Sequence, residues 1–210
     1  MMVLLVMLAG FTISGGIQQL PYYPVYIVCD GNSNTNSAYQ GDSTWVDQLS
    51  YNYDDPRLSF HNVGYSGKQV YYSVRDGARD IDKYDSPFKV CFLAYGGNDA
   101  AAGTSADSIY TLIQEFCTDR RAAGWWTIVI ASQTHHLTVI PVTDSVKVNW
   151  ASFADDIVLV CDDPNIGYES DTGNATYWHD IGHLSVTGLG IYADSCQKHL
   201  ESYLFTSGRL

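Results

Sequence analysis

The stretch FKVCFLAYGGND (88–99) decides how the chain folds. Its first eight residues are almost wholly apolar and contain one charge, with none of the polar alternation of a half-exposed strand. A run that short reads as a strand buried on both faces. It stops abruptly at a Gly-rich polar turn. A strand covered on both faces needs helices above and below it, and the flanking sequence supplies them. VYIVC (25–29), LSFHNV (58–63), WTIVIAS (126–132) and IVLVC (157–161) are further strand-like runs.

Helical patterns separate these runs. STWVDQLSY (43–51) reads as a first helix with Ser43 as its N-cap. Val70, Val74, Ala78 and Ile81 recur at helical spacing. Ile109, Leu112, Ile113, Phe116 and Cys117 mark an amphipathic helix that stops at Gly124. A weaker helix follows over 144–153. A last one starts near Ser185 and runs through Leu189, Ala193, Cys196, Leu200 and Tyr203. Five apolar strands alternating with helices predict an α/β fold, a three-layer α/β/α sandwich around a five-stranded parallel sheet.

With 46% hydrophobic and 16% charged residues among 210, the chain can bury a full core. Residues 21–210 read as a single domain. Residues 1–20 form an apolar, Gly-rich arm whose run matches a signal-peptide core in length and is too short to span a bilayer. No basic residue precedes that run and no A-x-A site follows it. An extended arm that packs on another copy or into a larger assembly is the alternative. An extracellular, virion-surface or cell-surface location follows only if the arm is a signal or an assembly segment. A net charge of −12 argues against a nucleic-acid partner, since a polyanion would be repelled. The five cysteines (29, 91, 117, 161 and 196) lie on apolar positions without C-x-x-C spacing. They read as buried thiols, with one disulfide left open.

In a parallel sheet, ligands gather at the carboxyl ends of the strands. The loops there read DGNSNTN, NVGYSG, YGGNDA and QTHH, and WHDIGH precedes the last helix. Acyl transfer needs a nucleophile, a base, a group that orients the base, and donors for an oxyanion. Ser33 can be the nucleophile, His183 the base and Asp180 its orienting carboxylate. The backbone N–H groups of Ser33 and Gly64 and the side-chain amide of Asn98 can be the donors. Gly64 would also let the backbone approach a substrate closely. Ser43, in a literal GDS at 41–43, lies ten residues beyond the strand end and is better read as a cap. Ser66 follows a strand where a donor is expected.

These blocks resemble the SGNH (GDSL-type) hydrolase family. Gly31-Asn32-Ser33 is similar to its G-D-S block, Gly64 in NVGYSG to the second, GGND (96–99) to G-x-N-D, and DIGH (180–183) to D-x-x-H. Together they bracket about 160 residues, nearly all of the chain after the arm. The resemblance implies the flavodoxin-like fold of that family. It also implies hydrolysis of an ester, often a short acyl group on a carbohydrate, with no metal or other cofactor. Asn32 departs from the family's Asp, and Asn34 stands where an aliphatic residue is common.

Two other readings remain. HDIGH has the spacing of the zinc-protease pattern H-E-x-x-H, with His135 and His136 as the obvious further ligands. Gly182 is a poor helix-interior residue, however, and the helical pattern begins only after His183. The second reading is a carbohydrate-binding or structural module on the same fold with little turnover. Asn32, Asn34, Tyr65, Trp178 and His179 adjoin the blocks and are expected to line a substrate pocket. Tyr39 and Tyr71 are further stacking candidates. The expected partner is a small-molecule or glycan ester, with no stable membrane insertion.

Overall fold

The computed structural model describes residues 23–36, 43–131 and 137–208. The arm, Tyr39, His135 and His136 lie outside the described residues. The elements run β1 (Val25–Gly31), α1 (Ser33–Asn36), α2 (Trp45–Tyr51), β2 (Leu58–Asn62), α3 (Val70–Asp80), β3 (Phe88–Ala94) and α4 (Gly97–Ala101). They continue with α5 (Ala106–Ala122), β4 (Trp126–Ile130), α6 (Val139–Asn149), β5 (Asp156–Val158) and α7 (Val186–Thr206). All strand pairs are parallel, in the order β2-β1-β3-β4-β5. The expected three-layer α/β sandwich is the observed architecture.

Side chains alternate across the sheet with the two-residue period of a strand. Val25, Ile27, Cys29, Val90, Phe92 and Ala94 point to one core, which α2 and α7 cover. Val28, Cys91, Leu93 and Val129 point to the other, against α3, α5 and α6. This two-sided burial is why residues 88–95 carry no polar alternation. All five cysteines are free and buried, so no disulfide forms. Burial pushes the Cys161 thiol up to about 12 and raises the other four thiols as well. Among the described residues, no helix is long and apolar enough to cross a membrane.

Several boundaries differ from the sequence reading, each for a local reason. The cap of α2 is Thr44 rather than Ser43. Thr44 Oγ1 accepts the Asp47 N–H and the Asp47 carboxylate accepts the Thr44 N–H, a reciprocal box that Ser43, with Val46 three residues on, cannot make. The last strand ends at Val158, and residues 160–162 form a 3-10 turn. The carbonyl of Ala131 accepts the Cys161 N–H and bends the chain at the sheet edge. α6 starts at Val139, ahead of the expected 144, because Pro141 sits in its first turn, where a missing N–H costs nothing. α1 and α4 are too short to show a period, and both begin directly after a strand.

The strand order reverses between β1 and β3, where Gly31 lies opposite Ala94. Ser33 follows one strand and Asn98 the other, so both flank the crevice at this switch point.

Candidate active site

The Ser33 loop is held by a set of local side-chain bonds. Asn32 Oδ1 accepts the Asn34 N–H at 3.0 Å, and the Asn32 carbonyl accepts from Thr35 and Asn36. The chain therefore turns into α1 at Ser33, which is 7% exposed. Among the described residues nothing accepts the Ser33 N–H or bonds its hydroxyl. Asn32 thus performs the capping that an Asp could perform, without the charge.

Two bonds tie the second loop to α1. Asn62 Nδ2 donates to the Thr35 carbonyl at 2.6 Å, and Asn36 Nδ2 donates to the Gly64 carbonyl at 3.2 Å. A Cβ at Gly64 would stand 2.8 Å from Thr35 Cγ2 and 3.0 Å from the Gly31 carbonyl oxygen. The glycine is needed for this packing of the second loop against α1 and β1. Its N–H donates to Asn62 Oδ1 at 3.0 Å, so the expected oxyanion donor is already engaged. Ser66 is exposed in the adjoining turn.

Asn98 sits in the first turn of α4, which Gly96 enters at φ 134°, a conformation that favours glycine. One hydrogen of Asn98 Nδ2 goes to the Lys68 carbonyl at 3.0 Å. The amide carries two, so this bond aims the second. Its neighbour Asp99 is buried, with a carboxylate that accepts the Val70 N–H at 3.0 Å. Burial raises its pKa to about 6 despite that bond.

Residues 177–185 form a narrow antiparallel turn. Trp178 bridges Leu184, the His179 N–H donates to the His183 carbonyl at 2.8 Å, and the Ser185 N–H donates to that of Tyr177 at 2.9 Å. The stretch is not a helix, so His179 and His183 do not share the helical face that a zinc-protease pair requires. His179 is exposed to solvent. The Asp180 carboxylate instead meets His183 Nδ1 with both oxygens, at 2.7 and 2.8 Å. Asp180 Oδ1 also accepts the N–H groups of Gly182 and His183. Partial burial pushes the Asp180 carboxyl upward. Donation from Gly182 and the His183 ring outweighs it, and the pKa lies below the ordinary carboxylate value. An ionised Asp180 on Nδ1 fixes the tautomer and leaves Nε2 as the basic nitrogen.

The Ser33 and His183 loops are joined through Asn34. Asn34 Nδ2 donates to the Gly182 carbonyl at 3.1 Å, and the Leu184 N–H donates to Asn34 Oδ1 at 3.0 Å. The side chain is thus spent on the two residues flanking His183, and it does not line a pocket as expected. Trp178 is the second correction. It is 2% exposed, packs in the core and donates its Nε1 hydrogen to the Asn165 carbonyl. Tyr65 and Tyr71 are exposed near the rim, and Lys68 Nζ lies 5.0 Å from the Tyr65 ring centre.

Beneath the rim runs a buried polar chain that the sequence reading misses. Lys68, 1% exposed, meets Asp30 Oδ1 at 2.5 Å, and the same oxygen accepts from Tyr95 Oη and from the Gly31 N–H. Ser73 Oγ bonds Tyr95 Oη in turn. The only sequence signal for this chain is a lone Asp at the end of an otherwise apolar strand.

No protein-family model matches the chain, and no curated protein matches it. Solved structures do. A member of the lipolytic protein G-D-S-L family from Veillonella parvula superposes with a TM-score of 0.67 at 19% identity, covering 83% of this chain and 97% of that one. A psychrotrophic esterase from Pseudoalteromonas sp., solved with monoethylphosphonate as inhibitor, gives 0.69 at 15%, covering 85% and 98%. A catalytic mutant of an acetylxylan esterase from Geobacillus stearothermophilus gives 0.70 at 13%, covering 84% and 94%. The chain shares the fold of these GDSL (SGNH) hydrolases.

Proposed function

We propose that this chain, built on the SGNH hydrolase fold, is a serine esterase that removes short acyl groups, with acetyl groups on a carbohydrate as the favoured substrate class. One observation carries the reading. A bidentate Asp180–His183 pair is tied by hydrogen bonds to the residue next to Ser33. An orienting carboxylate, a tautomer-fixed imidazole and a loop serine on adjoining loops are the parts that acyl transfer requires.

In the proposed reaction His183 Nε2 takes the Ser33 Oγ proton as that oxygen attacks the ester carbonyl. The Ser33 N–H and the second Asn98 Nδ2 hydrogen stabilise the oxyanion. The imidazolium, stabilised by Asp180, returns the proton to the departing alcohol. A water molecule then repeats the sequence on the acyl-enzyme, releasing the acid and restoring Ser33. The acetylxylan esterase among the neighbours of this fold motivates the sugar-ester class, and exposed Tyr65 and Tyr71 offer faces for a sugar ring.

One observation favours the alternative of a binding module with little turnover. The Gly64 N–H is engaged by Asn62, which leaves two oxyanion donors instead of three. Loss of one such donor costs about 10²–10³-fold in related chemistry. The two readings separate in a panel of acetylated sugars and p-nitrophenyl esters of rising chain length, assayed with wild type and Ser33→Ala. The esterase reading expects hydrolysis that is greatest for acetate and abolished in Ser33→Ala. Activity that persists in Ser33→Ala, or that a chelator removes, sinks it.

A further inference from the structure

We infer that Asn34 is a positioning residue that sets His183 against Ser33, an inference that rests on the serine-esterase reading. Asn34 follows Ser33 directly and is 7% exposed. Its amide oxygen accepts the Leu184 N–H and its amide nitrogen donates to the Gly182 carbonyl, so it grips the backbone on both sides of His183. The bonds from Asp180 to His183, and from the His179 N–H to the His183 carbonyl, stiffen that loop internally. They do not register it on the serine. The Asn34 amide does, because its own backbone is part of the turn that presents Ser33.

Asn32 belongs to the same device. Its side chain accepts the Asn34 N–H at 3.0 Å and fixes the direction from which the Asn34 side chain leaves the turn. The two departures from the family pattern, Asn32 and Asn34, therefore form one relay from the nucleophile turn to the base loop. An aliphatic side chain at position 34 could fill the space. It would remove the bond that the buried Leu184 N–H makes to the Asn34 amide oxygen, and with it the directional tie.

The test is steady-state hydrolysis of p-nitrophenyl acetate by wild type, Asn34→Leu, His183→Ala, the double variant and Ser33→Ala. Asn34→Leu is expected to lower kcat about 10- to 100-fold with KM within about twofold, as a displaced base would. Because Asn34 acts through His183, adding Asn34→Leu to His183→Ala should cost nothing further. Asn34→Asp keeps the acceptor for Leu184 and loses the donor to Gly182. It should show an intermediate kcat, and it carries the test if Asn34→Leu does not fold. A wild-type kcat in either variant, or an additional loss in the His183→Ala background, overturns the inference. If Ser33→Ala stays active, the esterase reading itself fails. If Ser33→Ala is dead and the Asn34 variants keep the wild-type kcat, only the positioning role is lost.

Discussion

Lys68 Nζ and Asp30 Oδ1 meet at 2.5 Å in a pair whose side chains are 2% and 1% exposed, at the end of the strand that leads into the Ser33 turn. Lys68 also presents its carbonyl to Asn98, the side chain proposed as an oxyanion donor. Removing one member of such a pair strands a charge in an apolar interior, a cost of about 3–5 kcal/mol. Lys68→Met is expected to destabilise the fold by that amount in urea titration. Asp30→Asn added to it should recover a large part, since an amide oxygen can still accept from Tyr95 and Gly31. If the double variant is no more stable than Lys68→Met, the stranded charge is not the cause.

Asp180→Asn keeps the size of the side chain and removes its charge. The amide can donate to Nδ1 and so favours the tautomer whose proton sits on Nε2, where it blocks the base. Loss of kcat by about 10²–10⁴-fold with little change in KM is the expected result. A kcat within a few-fold of wild type would leave Asp180 no role in orienting His183.

At Gly64 the packing is the issue. A methyl group would stand 2.8 Å from Thr35 Cγ2 and 2.9 Å from Thr35 Cβ, both on the helix that begins at Ser33. Gly64→Ala should push α1 away, lowering stability by about 1–3 kcal/mol and reducing kcat together with it. The paired variant Gly64→Ala/Thr35→Ser removes the nearest methyl group and should regain part of both. Failure to regain either would show that the contact with Thr35 is not limiting.

Asp99 yields a pH-dependent prediction. Burial raises its carboxyl to about 6 in the folded chain, against 3.8 as the ordinary value. Between those values the folded state holds a proton that the unfolded state has lost, so stability from this group declines as pH rises from about 4 to 6. Above 6 the folded chain carries a buried charge at its full cost. The amide introduced by Asp99→Asn stays neutral throughout and can still accept from Val70. The stability of Asp99→Asn relative to wild type should therefore grow between pH 4 and 6 and level off above, by up to about 2–3 kcal/mol. Parallel stability curves for the two proteins across that range would refute it.

Much of this protein is legible in the sequence because the relevant signals are local. A short, almost wholly apolar run such as 88–95 reads as a strand with cover on both faces, and five such runs separated by helical periods specify the sheet. Asp180 and His183 lie three residues apart, so one turn brings them into contact whatever the rest of the chain does. The Thr44–Asp47 capping box is equally local and is obscured only by the serine beside it.

Tertiary structure decided what depends on residues distant in sequence. Trp178 looks like a rim aromatic until β-bridging with Leu184 turns its ring into the core. Asn34 looks like a pocket residue until a loop some 148 positions later takes both ends of its amide. Lys68 and Asp30 reveal nothing of each other in sequence, because only the packing of the β1 end against the segment before α3 removes both from water. Apolar burial is a property of a segment and can be read from its pattern. Hydrogen bonding of buried polar groups depends on which partners arrive, and the completed fold alone determines that.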